Sequence, residues 1–401
     1  MSNIFSRVST ASTYDAALRN ITIRQNALVT AQEQLSSGKR VMRASDDPTA
    51  AAQAERAVTR QGRIETDQRA LEAQRNSMAA AESTLGDSVS ALQSFRELVV
   101  AAGNGGYSAT DRESIAQQLT TLRNQIFSYA NQKDSNGLPF FSGLGSSETP
   151  FSDTAGGVVF QGLAGQTGSS DVAVPGSLDG NATWMSVPTG NGMFEIKLGT
   201  NTGTAWADTG KVTNPSALTG NNYTLTFGTD PTTGEPTYSV PTSTPAIANQ
   251  PYKDGETIAF DGLSFVVKGN PAAGDTMTLG DSTRDSLFGA MDKAISGVRN
   301  LGSANPGPLT HSITKTLAEL DTGLSRLHAV RGFAGDLLNR VDRINSTQEG
   351  RAVQLEGDRS RAEDLDMIKG ISDFQSNQTG YSAALSSYAQ IQKLSLFNYL
   401  N

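Results

Sequence analysis

Eight residues, Ala50, Ala57, Ile64, Leu71, Met78, Leu85, Leu92 and Val99, hold one seven-residue register without a break. A small-to-large apolar stripe of that period predicts a single long helix packed nearly parallel to other helices. A helix of some fifty residues outruns any compact globule, so its partners must be long as well. The chain supplies them. Tyr14, Ile21, Leu28 and Leu35 recur every seven residues, with Ile4, Ala11 and Leu18 as a companion row. Ile115, Leu119, Leu122, Ile126 and Tyr129 alternate by four and three, and Leu317, Leu320, Leu324 and Leu327 by three and four, extended by Leu338 and Val341. Met367, Ile371, Phe374, Gln378, Tyr381, Leu385 and Tyr388 close the series. One such stripe fits ordinary core; four of this length predict a rod-like, coiled-coil-like bundle built from both ends of the chain.

Punctuation agrees with the stripes. Gly38, after Leu35-Ser36-Ser37, terminates the first helix. Asp46, Asp47 and Pro48 start the second, with Asp47 as N-cap and Pro48 at the first helical position. Gly103 to Gly106 closes it, and Thr110 or Asp111 is placed to cap the third.

Between the helical zones the pattern changes. Residues 141–283 are rich in Gly, Thr, Ser, Pro and Asn, and no Arg occurs from Asn124 through Thr283. Met193 to Leu198 and Tyr223 to Phe227 alternate as strands, and Thr257 to Phe260 and Leu263 to Val267 flank an Asp261-Gly262 hairpin turn. The fold class is therefore mainly α with an inserted β domain. The expected division is residues 1–40 and 362–401 as terminal helices, 41–143 and 284–361 as a helical bundle, and 144–283 as a β-rich outer part. An insertion of this kind leaves the chain ends close together.

Composition narrows the function. With 401 residues the chain suits two or three domains, yet hydrophobic residues are only 37% and charged residues 18%. The net charge of -8 argues against nucleic acid, and no run of basic residues suggests a membrane surface. There are no cysteines, which excludes disulfides, thiolate metal sites and thiol nucleophiles. The two histidines, His311 and His328, are too far apart for a helical ligand pair. No signal peptide or membrane-length apolar run stands out.

An enzyme is not expected: the chain lacks His-Glu-x-x-His, Gly-x-Ser-x-Gly and a phosphate loop, so no catalytic, cofactor-binding or metal residues are assigned. Gly103 to Gly106 suits a turn, Asp46 and Asp47 a cap, and Asp364 and Asp366 a solvated helix face. Trp184 and Trp206 suit core better than a glycan platform. Asn181 and Asn222, in Asn-x-Thr sequons, carry no weight by themselves.

The terminal stripes offer too few large apolar side chains to offset the entropy of ordering about 40 residues at each end. Residues 1 to about 40 and about 362 to 401 are therefore expected to be largely disordered in the monomer and to fold when neighbouring copies cover them. A stable two-helix tail is the competing expectation.

Gln34-Leu35-Ser36-Ser37-Gly38-Lys39-Arg40-Val41, followed by Ala44-Ser45-Asp46-Asp47-Pro48, resembles the N-terminal signature of flagellins and flagellin-like proteins. The ending from Ile391 to Leu400 resembles that of the hook–filament junction members rather than of filament flagellins. Asn136 to Gly143 is similar to the family's exit from the helical core, and Gly262 to Asp275 to a sheet motif of hook-associated proteins. The resemblance covers residues 1–143 and 256–401.

The resemblance implies a structural subunit of the bacterial flagellum that joins hook to filament, with a filament-forming flagellin as the alternative and a surface adhesin as a more distant one. It implies export without a cleaved signal through the flagellar type III channel, and an extracellular location on the flagellum. It also implies four partners: the hook-side junction protein (hook-associated protein 1), flagellin, further copies of the chain in a ring, and a cytoplasmic export chaperone at the C-terminus. Nucleic acid, membrane and cofactors are not implied. The expected assembly interface comprises Tyr14, Leu18, Ile21, Leu28, Leu35, Ile371, Phe374, Tyr381, Leu385, Tyr388, Ile391 and Leu394, with Gly38, Asp46, Asp47 and Pro48 as the stop-and-start signature.

Overall fold

The computed structural model describes residues 10–104, 106–145, 148–300 and 305–399, with the side chains of residues 10, 11, 300 and 391–399 outside that description. Six α-helices are present among them: α1 (Thr10–Ser37), α2 (Pro48–Ala102), α3 (Ala109–Ala130), α4 (Leu287–Asn300), α5 (Pro306–Glu363) and α6 (Met367–Tyr399). The strands fall between α3 and α4. They are β1 (Phe151–Thr154), β2 (Gly157–Phe160), β3 (Val187–Pro188), β4 (Phe194–Leu198), β5 (Trp206–Ala207), β6 (Lys211–Val212) and β7 (Tyr223–Thr229). β8 (Pro236–Val240), β9 (Ile247–Pro251), β10 (Thr257–Phe260), β11 (Leu263–Lys268), β12 (Thr276–Asp281) and β13 (Arg284–Asp285) complete them.

The fold is mainly helical, with long terminal helices and a central β-rich part. The chain forms two compact units, residues 1–69 with 345–401, and residues 70–344.

In the first unit, α1 and α6 run antiparallel. Tyr14 meets Tyr388, their hydroxyls 2.6 Å apart, while Arg24 lies against Gly380 and Leu35 against Gly370. α1 ends where Gly38, at φ +71°, donates its N–H to Gln34 O at 2.9 Å, a left-handed cap that glycine adopts without Cβ strain. α2 begins at Pro48, and Asp47 Oδ1 accepts from Ala50 N at 3.1 Å, which satisfies one orphan donor of the first turn. That bond, more than any other contact, holds the Asp47 carboxyl below its ordinary pKa.

In the second unit the stripe of α2 is the core. Leu71, Met78, Leu85, Leu92 and Val99 are buried with Leu119 and Ile126 of α3, Phe288 and Met291 of α4, and Leu320 and Leu327 of α5. Residues from the Gly- and Thr-rich stretch join that same cluster: Phe151, Val158, Val174, Leu178 and Trp184. Trp184 stacks on Phe288 at 5.9 Å and meets Phe141 edge-on at 5.6 Å. Arg123 bonds Asp292 at 3.0 Å and Asp153, with its guanidinium over the Phe127 and Phe288 rings. α3 is capped by Ser108, not Thr110: Ser108 accepts from Asp111 N, and Asp111 accepts from Ser108 N, a reciprocal box.

A second core lies between antiparallel sheets. One has the order β4-β12-β7-β8-β9; in the other the β10–β11 hairpin continues to β5 and β6. Phe260 pairs with Leu263 across Asp261 (φ 45°) and Gly262 (φ 79°), both left-handed as a tight two-residue hairpin turn demands. Phe194, Tyr223, Leu225, Phe227, Phe265 and Met277 fill the space between. Trp206 is half-buried with the Lys268 ammonium over its ring at 5.6 Å. His311 of α5 is buried against this part, its ring nitrogens 2.9 Å from Ala207 O and 3.1 Å from Ile196 O, and burial pushes its pKa down.

Candidate assembly surfaces

The terminal helix pair owes its joint to backbone hydrogen bonds between distant parts of the chain. Arg40 N and Val41 N both donate to Glu363 O, at 2.7 and 3.2 Å, and Leu365 N returns a bond to Gly38 O at 2.9 Å. Side chains reinforce them. Lys39 pairs with Glu363, Arg40 Nη2 reaches Ala362 O at 2.7 Å, and Asp46 Oδ2 takes the N–H groups of Met42 and Arg43. Arg359 gathers Glu356, Glu363 and Asp364. Its guanidinium, bonded to Glu356 at 2.7 Å, lowers that carboxyl to a pKa of about 2. Asp366 caps α6 through the N–H groups of Ile368 and Lys369. Gly38, Asp46, Asp47 and Pro48 thus all lie in this joint.

The seam of the pair is narrower than the stripes suggested. On α6 the half-buried or buried positions are Gly370, Phe374, Asn377, Tyr381, Ala384 and Tyr388, spaced by four and three, with Gly380 beside Tyr381. On α1 they are Ala16, Ala17, Ile21, Ala27, Leu28, Ala31, Gln34 and Leu35. Phe374, Tyr381 and Tyr388 therefore sit where the sequence stripe put them, whereas Ile371 and Leu385 do not. The seam passes through the small residues one position earlier, because these let the helices approach. A Cβ on Gly370 would meet Leu365 Cδ2 at 2.8 Å and Leu35 Cδ2 at 3.2 Å.

The large aliphatic side chains displaced from the seam are left in solvent. Ile368 is 85% exposed and Ile23 62%, and Leu18, Val29, Met367, Ile371 and Leu385 are each more than a third exposed, as is Tyr14. Soluble monomers seldom keep so many large apolar residues on one helix pair without a partner. Ile391 and Leu394 belong to α6, but their side chains lie outside the described residues. Sequence reasoning did not single out Ile23 or Ile368. They stand off the seven-residue rows, and an off-stripe isoleucine in a helix was the signal available.

Among the described residues no helix is long and apolar enough to cross a membrane, and no group of three or more His, Asp or Glu side chains could hold a metal.

Comparison with known proteins bears on these surfaces. Residues 8–146 match the model of the bacterial flagellin N-terminal helical region. The flagellar hook-associated protein 3 of Escherichia coli is 25% identical over 395 residues, 98% of each chain. That of Salmonella typhimurium is 37% identical over 153 residues, 38% of this chain and about half, 48%, of the relative. The crystal structure of the flagellar junction protein FlgL from Legionella pneumophila is similar at a TM-score of 0.66 and 30% identity, over 72% of this chain and 99% of that one. These relatives are structural proteins, not enzymes. A long-helix bundle with an inserted β part, a flagellin-type N-terminal region and similarity to hook-associated protein 3 along the whole length converge: the chain belongs to the hook-associated protein 3 family of flagellar structural proteins.

Proposed function

We propose that this chain is the subunit that joins the flagellar hook to the filament, and that it does so by burying the exposed aliphatic side chains of α1 and α6 against neighbouring subunits. The observation that carries this reading is the exposure of large aliphatic side chains: Leu18, Ile23, Val29, Ile368, Ile371 and Leu385 all belong to one antiparallel pair and are more than a third exposed in the single chain. Covering a fully exposed aliphatic side chain contributes about 1.5–3 kcal/mol, so a few of them suffice to drive assembly. Tyr14, Ile21, Leu28, Leu35, Phe374, Tyr381 and Tyr388 hold the pair that presents them.

In this reading residues 1–40 and 362–401 are the inner, assembly-coupled part that orders on incorporation. Residues 41–143 and 284–361 are the helical bundle; of residues 144–283, the stretch through Trp184 packs into the bundle's core and the sheets after it are the β-rich outer part. The neighbours are the hook-side junction protein, flagellin and further copies in a ring. A chaperone covers the apolar C-terminal helix before export through the flagellar channel, and the protein ends outside the cell on the flagellum. The filament-forming alternative is disfavoured because similarity to hook-associated protein 3 covers 98% of the chain, whereas the similarity to the flagellin of Bacillus subtilis covers 32% of it.

The test is polymerisation of purified protein, viewed by electron microscopy with and without precipitating salt and filament seeds. Protein that grows no filament alone, yet binds hook ends or seeds, supports the junction role. Long self-supporting filaments would replace it with the flagellin role.

A further inference from the structure

The first unit also carries a charged groove that the terminal helices do not use. It has a volume of about 520 Å³ and lies between the start of α2 and the end of α5. Its floor is Ala50, Ala57, Leu355 and Ala362, and its walls are arginines. Arg40 is neutralised by Asp47 at 3.3 Å, and Arg361 by Asp358. Arg56 and Arg60, one helical turn apart and exposed, have no hydrogen-bond or ion-pair partner among the described residues, nor has Arg63 on the same side of α2. Two or three free guanidinium groups over a floor of small apolar residues suit a carboxylate-bearing helix that can come close.

The chain itself holds the complement. The first unit contains 15 Lys and Arg against 14 Asp and Glu, while the second contains 17 against 26. The whole negative surplus therefore sits on residues 70–344. On α2 in that unit, Asp87, Ser90, Ser94 and Glu97 recur by three and four residues and are all exposed. Neither Asp87 nor Glu97 has an ion-pair partner among the described residues. Val100, one turn beyond Glu97, is exposed too. Small serines between carboxylates make a narrow acidic face that an alanine-floored groove can accept.

We infer that the Arg56–Arg60 groove of one copy receives the Asp87–Glu97 face of a second copy. The two surfaces are different parts of the chain, so the contact is heterologous: each copy keeps one free groove or face, and the contact repeats until a ring closes. The inference rests on the reading of the chain as a self-assembling flagellar subunit and adds the surfaces that meet.

The chain has no cysteine, so cysteine pairs report cleanly. Gln53 lines the groove and Ser94 lies on the acidic face, both exposed. Gln53→Cys and Ser94→Cys are placed together in the full chain, flagella are sheared from cells, treated with a short bismaleimide and run on a denaturing gel. The expected result is a ladder of multiples of the chain, absent from each single-cysteine variant. Adding Arg56→Glu with Arg60→Glu is expected to lower the yield about tenfold, and adding Asp87→Arg with Glu97→Arg to restore it to within about twofold, because the swapped charges again match. No ladder from flagella that contain the chain would overturn the inference. So would a crosslink to a protein of different mass, or a yield unmoved by the charge reversal. If the chain is missing from the flagella altogether, the junction reading fails and this contact fails with it.

Discussion

Ile23→Ser combined with Ile368→Ser separates assembly from folding. Both side chains are mostly in solvent, 62% and 85% exposed, so the folded chain loses little. Serine and isoleucine have nearly equal helix propensity, which leaves α1 and α6 unpenalised by the backbone. Folding stability should change by about 0.5 kcal/mol or less, as for other exposed positions. If assembly covers both side chains, the exposed fractions convert to about 2–4 kcal/mol per subunit at about 1.5–3 kcal/mol for a whole side chain, or about 30- to 1000-fold in incorporation. The assay is competition. Wild-type and variant chains are expressed at equal levels in one cell, flagella are sheared, and the ratio is read by mass spectrometry. Circular dichroism of the purified variant checks that its melting is unchanged. Equal incorporation of the two chains would refute the reasoning, since the exposed isoleucines would then have no subunit to meet. A Phe374→Ser control, in the half-buried seam, should also lose incorporation.

Three further outcomes are expected. The Glu356 carboxyl, held at about 2 by Arg359 against an ordinary value of 4.5, gives stability that is fully present above about pH 4.5 and lost as pH falls toward 2. Glu356→Gln should flatten acid unfolding of the first unit in that window, followed by circular dichroism. Gly38→Ala meets no atom within 4 Å and costs only the left-handed backbone penalty of about 1–2 kcal/mol. Gly143→Ala has the same kind of φ but puts its Cβ 2.2 Å from Leu163 O, and should abolish soluble expression. Phe288→Ala removes a ring stacked on Trp184 in the core and should destabilise the second unit by about 3–5 kcal/mol in urea, read from tryptophan fluorescence.

Helix extents were largely legible because their signals are local. The α2 stripe and the Gly38, Asp47 and Pro48 punctuation depend on residues within a turn or two of one another. The same holds for the Asp261-Gly262 hairpin, where turn chemistry sets the register. What escaped depends on contacts distant in sequence. The α6 seam departs from the Ile371, Gln378 and Leu385 row because a seven-residue spacing does not by itself say which of two adjacent rows is buried. A seam between two helices alone instead follows Gly370, Asn377 and Ala384, where small residues admit Leu35 and its neighbours. Ser108 was passed over as a cap because the signature is reciprocal, and Asp111 serves as its third residue rather than as the cap itself. Trp184 sits in a glycine-rich stretch that reads as sheet, yet it is buried against Phe288 of a helix more than a hundred residues later.

The joint at Gly38 and Glu363 explains why both chain ends are needed at once. Isolated helices of this composition are marginal in water, so α1 depends on α6 for its stability. The dependence goes beyond side-chain burial. Arg40 and Val41, which follow α1, donate backbone bonds to the last carbonyl of α5, and Leu365, which precedes α6, donates to Gly38. Neither connection can be satisfied with one end absent, and an unpaired backbone group is costly wherever water is excluded. The entry of α2 is tied in as well, because Arg40 bridges Asp47, its N-cap, to Ala362 O. Ordering of either terminal helix therefore fixes the direction in which the other leaves the joint. The exposed isoleucines, Ile23 on one helix and Ile368 on the other, are thus presented together only when α1 and α6 of the same chain are both ordered.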